Sequence, residues 1–448
     1  MLRRQSFDIS VPTVLVRLDR NPFHHGTLGA ARSLGRAGIP VHAVIESSTS
    51  PVARSRFLRS ARASPGGTSA DELPALLHRY ADEIEDGADP VPDGASNRLL
   101  VLPLDDVSAL GLARRRDTLS PRFLFPEQTE EQLLRVADKA ALAETCASLG
   151  LPHPRTELPD GTDEAAAMAW SLGLPVVAKW SRPWLLPSGG GLRSTSIVRS
   201  LAEVRELYAR TPEAGSRLLL QELLPAGRDL DWFFHGYVDA GGGCTTGATG
   251  RKERSWPDGA GLTAVGRWTP NPAVDRTARE LLAALGYRGV CDLDFRRNRA
   301  TGAYHLLDFN PRPGAQFRLF ADAEELDVVR ALHLDLTGRP VPPQSPAYGR
   351  RFVVENYAAL SLLVSPRRRA DGTEDGTGSE GVRGRTEYAW CAADDPAPAF
   401  AMGLAWLGHL LRRAVASARR FLASRRARPQ PSPKAPQARS SSHQLTPR

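Results

Sequence analysis

The chain has 448 residues, 41% apolar and 24% charged, which at about 150 residues per domain allows two to four domains with buried cores. Four widely separated cysteines without a CxxC pair exclude a disulfide scaffold and a zinc ribbon, and they are typical of a cytoplasmic protein. Residues 401–448 carry nine Arg, one Lys and no acid. The net charge of +8 therefore belongs to this tail, and a net charge of −2 on residues 1–400 argues against a nucleic-acid-binding body.

The first part of the chain reads as an α/β domain. Apolar runs at 11–19, 39–47 and 97–106 predict buried strands, and a helix at 26–38 separates the first two. This alternation predicts a parallel sheet. Residues 1–125 contain no GxGxxG sequence, so we expect a small Rossmann-like domain without a dinucleotide fingerprint.

Residues 126–225 are predicted to form a lid lobe. The range 129–149 reads as one helix that begins with a capping box. Strands at 174–180 and 217–224 lie on either side of a glycine-rich loop at 187–196. The lobe is therefore expected to present a flexible loop beside a small sheet.

Residues 226–345 are predicted to form a second lobe. Strands at 230–239, 289–297 and 303–314 are separated by polar turns, and a helix is expected at 324–337. The last two strands are joined by a short turn, which is typical of a hairpin.

The C-terminal part has two predicted regions. Residues 346–396 form an extension, with a charged, glycine-rich loop after about 367 that we expect to be mobile. Residues 397–448 form a basic amphipathic helix followed by a disordered tail; no run is long enough to span a bilayer. The apolar stripe of this helix is equally compatible with binding to an anionic membrane surface and with packing on the protein's own body or on a partner subunit. The stripe comprises Phe400, Leu404, Leu407, Leu411, Val415, Ala418 and Leu422.

Acidic and amide side chains share one face of the predicted hairpin. Side chains alternate along a strand, so Asp294, Asp308 and Asn310 are expected on the same surface. Three hard oxygen ligands without His or Cys favour Mg²⁺, with Mn²⁺ left open. Arg312 follows two residues later, where a guanidinium could grip a phosphate or an acyl phosphate.

Lysine is rare, since only four of the 58 basic residues are Lys. Lys179 ends a strand directly before the glycine-rich loop, whose backbone N–H groups can approach phosphates closely. The loop glycines are Gly189, Gly190 and Gly191.

The strand ending at 224 offers a second set of contacts. Its last residues place a carboxylate and free backbone groups at a turn, where they could read an adenine edge. Asp229 or Asp231, beyond the turn, could bond ribose hydroxyls.

The order and spacing of these elements over residues 100–345 resemble the ATP-grasp superfamily, in particular carboxylate–amine ligases of the D-aspartate ligase-like and uncharacterised carboligase groups. The most specific match is Asp308-Phe-Asn-Pro-Arg312, which is similar to the acidic-x-Asn-Pro-Arg signature with Asp in place of the usual Glu. The resemblance implies a Rossmann-like domain followed by a two-lobed ATP-grasp fold. It further implies the following contacts with ATP: Lys139 and Lys179 with phosphates, Glu222 and Leu224 with adenine, and Asp229 with ribose.

The resemblance also implies the reaction. A carboxylate would attack ATP to give an acyl phosphate, and an amine would then displace phosphate to form an amide, with Lys179 and Arg312 offsetting charge. Arg254, Arg267 and Arg318 could hold the substrate, but surface arginines are the simpler interpretation. A D-aspartate-type ligase for a peptidoglycan precursor and a non-catalytic nucleotide-binding membrane protein are the alternatives. A homodimer is left open.

Overall fold

The structure is a computed structural model, and some of the predictions fall outside the residues that it describes. These are the predictions for Gly189, for Gly190, for the loop after 367 and for the tail beyond 426. The described residues are 5–64, 68–87, 98–187, 191–257, 261–364 and 385–426.

The N-terminal sheet has five parallel strands in the order β3-β2-β1-β4-β5. Its central strands are rich in Val, Leu and Ile and are buried on both faces, as expected where helices cover both sides of a parallel sheet. The strands are β1 (Thr13–Val16), β2 (Val41–Ile45), β3 (Leu58–Ala63), β4 (Leu99–Pro103) and β5 (Phe123–Leu124). The helices are α1 (His25–Arg36), α2 (Leu73–Asp86), α3 (Asp106–Arg114) and α4 (Arg116–Leu119). The predicted Rossmann-like arrangement is confirmed.

The second sheet has four antiparallel strands in the order β6-β9-β7-β8. The strands are β6 (Thr156–Glu157), β7 (Val176–Trp180), β8 (Thr195–Val198) and β9 (Leu218–Glu222). The helices are α5 (Glu130–Ala137), α6 (Lys139–Ser148), α7 (Thr162–Leu172), α8 (Leu201–Tyr208) and α9 (Thr211–Ala214). The apolar side chains of α7 and α8 pack on this sheet and give the lobe a core of its own.

The prediction of one helix over 129–149 was wrong, because the helix breaks at Asp138. The capping box at Thr129 is present, but Asp138 adopts an extended conformation and its carboxylate accepts from the N–H of Ala140 at 3.0 Å. Its carboxylate also accepts hydrogen bonds from Ser181 and Arg182 after β7. The break therefore makes Lys139 the first residue of α6.

The third sheet has seven strands in the order β14-β13-β10-β11-β12-β15-β16. Its last two strands come from the segment 346–396, which therefore contributes to the sheet itself. The strands are β10 (Asp231–Val238), β11 (Cys244–Trp256), β12 (Leu262–Trp268), β13 (Gly289–Arg297), β14 (Tyr304–Asn310), β15 (Arg351–Val353) and β16 (Thr386–Tyr388). The helices after α9 are α10 (Pro272–Ala284), α11 (Val328–Leu336), α12 (Glu355–Val364) and α13 (Ala397–Arg426).

One core joins the first and third sheets. Side chains of β1, β4 and α1 pack with α11 and with the ends of β10 and β13. The carboxyl end of the parallel sheet is thereby held next to the β13–β14 hairpin. Helix α10 covers the opposite face of the third sheet, so the hairpin face that carries the acids is left for the second sheet.

The chain divides into two compact units, residues 1–402 and 403–448. All three sheets belong to the first unit, and the described part of the second unit is the helix over 403–426. Within the residues that the structure describes, no helix is both long and apolar enough to cross a membrane.

Candidate active site

The hairpin of β13 and β14 brings the predicted acidic residues together. Asp294 lies directly opposite Asp308, and Asp292 lies opposite Asn310. After the Asp294–Asp308 pair the register shifts, so that Phe295 pairs with Leu306 and Leu307 is the extra residue. The predicted common face is therefore present, and it has an irregular edge at Leu307.

Three lysines converge on this face. Lys139 forms an ion pair with Asp308, and Lys252 Nζ lies 2.8 Å from Asp294 Oδ1. Lys179 Nζ donates to the carbonyl oxygen of Leu307 at 2.8 Å. Two of these lysines come from the second sheet's lobe and one from β11 of the third sheet, so the site lies between the two lobes.

Lys252 was missed by the sequence analysis. It lies in the middle of β11, away from the motifs, and no spacing in the chain relates it to Asp294. The signal that could have found it is the scarcity of lysine, since three of the four lysines lie in this site.

The buried charges perturb one another. Burial raises the pKa of Asp294, and the nearby ammonium of Lys252 only partly opposes this effect. Burial also acts to raise the pKa of Asp308, but Lys139 and Lys179 outweigh it and the pKa is lowered. Burial lowers the pKa of Lys179. The site therefore holds carboxylates and ammonium groups in a poorly solvated space, where each depends on its counterion.

Arg312 is anchored by the residues around the hairpin. Its Nη2 donates to Asn310 Oδ1 at 3.1 Å, and its Nε lies 3.5 Å from Asp106 Oδ1 at the start of α3. Asn310 Nδ2 in turn donates to Asp292 Oδ2 at 3.3 Å. The orientation of the Asn310 amide is thus fixed from both ends, which directs its oxygen toward the guanidinium.

A buried histidine contacts Asp292 and so supports this arrangement. His235 is fully buried on β10, and its Nε2 lies 3.0 Å from Asp292 Oδ1. Although burial acts to raise the pKa of Asp292, its interactions with His235 and Arg312 lower it overall. Gly314 packs against the same ring, where a Cβ would come within 2.3 Å of His235 Cε1. Neither His235 nor Asp292 was predicted as a site residue.

The donor set agrees with a hard divalent cation. Among the described residues, no group of three or more His, Cys, Asp or Glu is arranged to hold a metal ion. The predicted set differs in composition, since it combines the carboxylates of Asp294 and Asp308 with the amide oxygen of Asn310. Oxygen donors of this kind suit Mg²⁺, and the two ammonium groups on the carboxylates show that the site favours positive charge.

The predicted adenine-binding segment is fixed to both lobes. The Glu222 carboxylate accepts from the N–H of Arg155 at 3.2 Å, and the carbonyl oxygen of Leu224 accepts from Arg296 at 3.0 Å. Arg296 also forms a two-pronged ion pair with Asp231, at 2.6 and 3.1 Å. The end of β9 is thereby tied to β13.

The two ribose candidates differ in their surroundings. Asp231 is committed to its ion pair, whereas Asp229 lies on the exposed turn with φ of 63°. Asp229 Oδ1 lies 2.8 Å from Arg251 Nη1. Of the three loop glycines, only Gly191 is described, and its φ of 72° is one that favours glycine.

An apolar cavity borders Arg312. It lies between the carboxyl end of the parallel sheet, α3, α5 and the start of β13. Among the described residues that line it, Arg312 is the one that carries a charge. The side chain of the lining residue Gln128 is committed to the carbonyl oxygen of Arg288. The apolar lining includes Leu102, Ala109, Leu112, Phe125, Leu133 and Val290.

The interpretation of Arg318 as a surface residue was wrong. Its guanidinium is buried and contacts Asp327 at 2.7 Å, Glu387 at 3.0 Å and also Glu325. This cluster fixes β16 to the body of the protein, so Arg318 is not free to hold a substrate. Arg267 pairs with Glu253.

No protein-family model matches the chain, and a search of curated proteins gave no match. Solved structures do match. The biotin carboxylase domain of 2-oxoglutarate carboxylase from Hydrogenobacter thermophilus is 18% identical, with a TM-score of 0.52 over 76% of this chain and 72% of that one. N5-carboxyaminoimidazole ribonucleotide synthetase from Thermus thermophilus is 17% identical, with a TM-score of 0.52 over 75% and 80%.

The corresponding synthase from Aspergillus clavatus, solved with ATP, is 14% identical, with a TM-score of 0.53 over 77% of this chain and 81% of that one. At such identities the likeness concerns the fold. The chain has the ATP-grasp fold that biotin carboxylase and N5-carboxyaminoimidazole ribonucleotide synthetase share.

Proposed function

We propose that this protein is an ATP-dependent ligase that activates a carboxylate as an acyl phosphate and transfers the acyl group to an amine, forming a C–N bond. The observation that carries this proposal is the convergence of three lysines on two opposed carboxylates between the lobes of an ATP-grasp fold. Such a site can neutralise a triphosphate and its metal ion together.

In the proposed reaction, a carboxylate oxygen of the substrate attacks the γ-phosphorus of ATP and ADP leaves. The amine then attacks the acyl carbon, phosphate leaves, and the nitrogen loses a proton. Lys139 and Lys179 hold the phosphates of ATP. Lys179 and Arg312 also offset negative charge on the transferred group, because they stand beside the same hairpin. The protein thus contributes position and charge rather than a nucleophile.

Asp294, Asp308 and Asn310 would hold Mg²⁺, with Mn²⁺ as an alternative. When bound, the ion neutralises phosphate charge and orients the phosphoryl group for transfer. Asp292 and His235 act as positioning residues, since Asp292 binds the amide of Asn310 and His235 contacts Asp292. Lys252 neutralises Asp294 whenever the metal ion is absent.

The nucleotide is proposed to lie along the end of β9. Glu222 and Leu224 contact adenine, Asp229 contacts ribose, and the loop with Gly189, Gly190 and Gly191 covers the phosphates. Three facts support this placement: the segment is tied to β13 by Arg296, Asp229 is exposed, and Gly191 adopts a conformation that favours glycine.

The carboxylate substrate is proposed to approach Arg312 from the cavity that this residue borders. The 2-oxoglutarate carboxylase domain was solved as a dimer with MgADP and bicarbonate. We therefore place bicarbonate first among the carboxylates to test, and we propose a homodimer. No observation favours a D-aspartate-type ligase over other carboxylate–amine ligases.

The test is ADP formation from ATP and Mg²⁺ with carboxylates and amines supplied singly and in pairs. We expect ADP to form only with a matching pair, and we expect Lys179→Ala to lower the rate by about a hundredfold or more. ADP release that ignores every substrate, or nucleotide binding without ADP release, would favour a non-catalytic nucleotide-binding protein. Sedimentation of the same preparation measures whether the chain is a dimer.

A further inference from the structure

Helix α13 exposes its apolar face. Five apolar side chains that recur at steps of three and four are each between 52% and 76% exposed. Met402, on the opposite side of the same helix, is buried. An amphipathic helix normally buries its apolar side, so an outward apolar stripe indicates a binding surface. The stripe consists of Phe400, Leu404, Leu407, Leu411 and Val415.

The charges around the stripe have one sign. Asp395 is the last acidic residue of the chain. In the sequence, Arg412, Arg419 and Arg426 recur at intervals of seven, a spacing that repeats one face of a helix. Arg412 is exposed. The surface therefore combines an apolar stripe with a positively charged margin.

We propose that α13 is an interfacial helix that binds an anionic lipid surface. A lipid interface offers apolar chains and negative headgroups side by side, and both are needed to match this stripe and its margin. A second copy of the helix is a poorer match, because residues 401–448 carry ten positive charges and no negative ones. A helix with an apolar stripe and a basic margin binds such a surface by lying in its plane.

The experiment is co-sedimentation of the full-length chain with vesicles of phosphatidylcholine, with or without phosphatidylserine. We expect binding only to vesicles that contain phosphatidylserine, and we expect salt to weaken it. The combined change Leu404→Gln, Leu407→Gln and Leu411→Gln should reduce binding more than tenfold. Changing Arg412, Arg419 and Arg426 to Gln should reduce it by about a hundredfold at low salt.

A matched control places the same substitution on exposed leucines outside the helix. Leu149→Gln, Leu262→Gln and Leu362→Gln, combined in one chain, should leave vesicle binding unchanged. Three results would overturn the proposal. The full-length chain could fail to bind phosphatidylserine vesicles; the Leu404, Leu407 and Leu411 variant could bind as tightly as the unaltered chain; or that variant could instead convert a dimer to a monomer, which would identify the stripe as an interface between copies.

Discussion

Replacing Lys252 with methionine removes the ammonium group that neutralises Asp294. The two groups are 2.8 Å apart, and their side chains are 16% and 25% exposed. At that distance, with an effective dielectric constant of about 20, Coulomb attraction is about 6 kcal/mol. Relief of the lysine's own desolvation offsets part of this loss. We expect the free energy of unfolding to fall by about 3 kcal/mol, the low end for a broken buried ion pair, because Asp294 keeps some solvent.

The loss of stability caused by Lys252→Met should depend on pH. Burial already raises the pKa of Asp294, and removing Lys252 raises it further. A carboxyl whose pKa is higher in the folded than in the unfolded protein contributes stability at low pH and loses it as the pH rises through the folded pKa. The variant should therefore be closer to the unaltered protein near about pH 4 than at neutral pH.

Mg²⁺ alone should restore much of the lost stability if Asp294 belongs to a metal site. At a concentration about a hundredfold above its Kd, the ion would add about 2.7 kcal/mol. Thermal or denaturant unfolding with and without MgCl₂, at matched ionic strength, measures this without any substrate. The control is Lys252→Met combined with Asp294→Asn, which has no unpaired carboxylate at position 294 and should therefore gain less stability from Mg²⁺. Equal responses of the single and double variants, or an unaltered stability in Lys252→Met, would refute the reasoning.

Substitutions at three other residues test the site and the fold. Lys179→Ala should lower kcat by about a hundredfold or more. Lys179→Arg should also have a low kcat, because a planar guanidinium does not replace the compact charge of an ammonium group. Lys434→Ala in the tail serves as the control. Asp308→Asn should shift the Mg²⁺ dependence of nucleotide binding, measured by titration, and an unchanged dependence would count against the metal site. Arg318→Met should cost about 3 kcal/mol in chemical unfolding. Burial acts to raise the pKa of Glu325, but Arg318 outweighs burial, and the pKa is about 2 instead of 4.5. The unaltered protein therefore loses stability as the pH falls from 4.5 toward 2. This loss of stability should be smaller in Arg318→Met.

The elements that depend on local patterns could be predicted from the sequence. Alternation along two strands was enough to place Asp294, Asp308 and Asn310 on one face, because a short hairpin leaves few other registers. The buried parallel strands and the capping box at Thr129 were predictable for the same reason, since each is specified by neighbouring residues.

Other features depend on partners that are distant in the sequence. Asp138 ends a helix because Ser181 and Arg182 bind its carboxylate, and neither residue is near it in the chain. Lys252 meets Asp294 only because β10 lies between β11 and β13. In a protein with 54 arginines, composition also gave no means of distinguishing the buried Arg318 from those at the surface.

Without ligands, the lysines and carboxylates of the site act as counterions for one another, and two of the lysines bridge the second and third sheets. ATP entering this space would take over the lysines and leave the carboxylates without partners, whereas Mg²⁺ entering alone would displace ammonium groups that then lack an anion. Either ligand alone therefore breaks lysine–carboxylate pairs and leaves one partner of each pair without a counterion. When both ligands bind, ATP pairs with the lysines and Mg²⁺ pairs with the carboxylates. The consequence is that nucleotide and metal ion should bind with strong positive cooperativity, and that their arrival should loosen the bridge between the lobes.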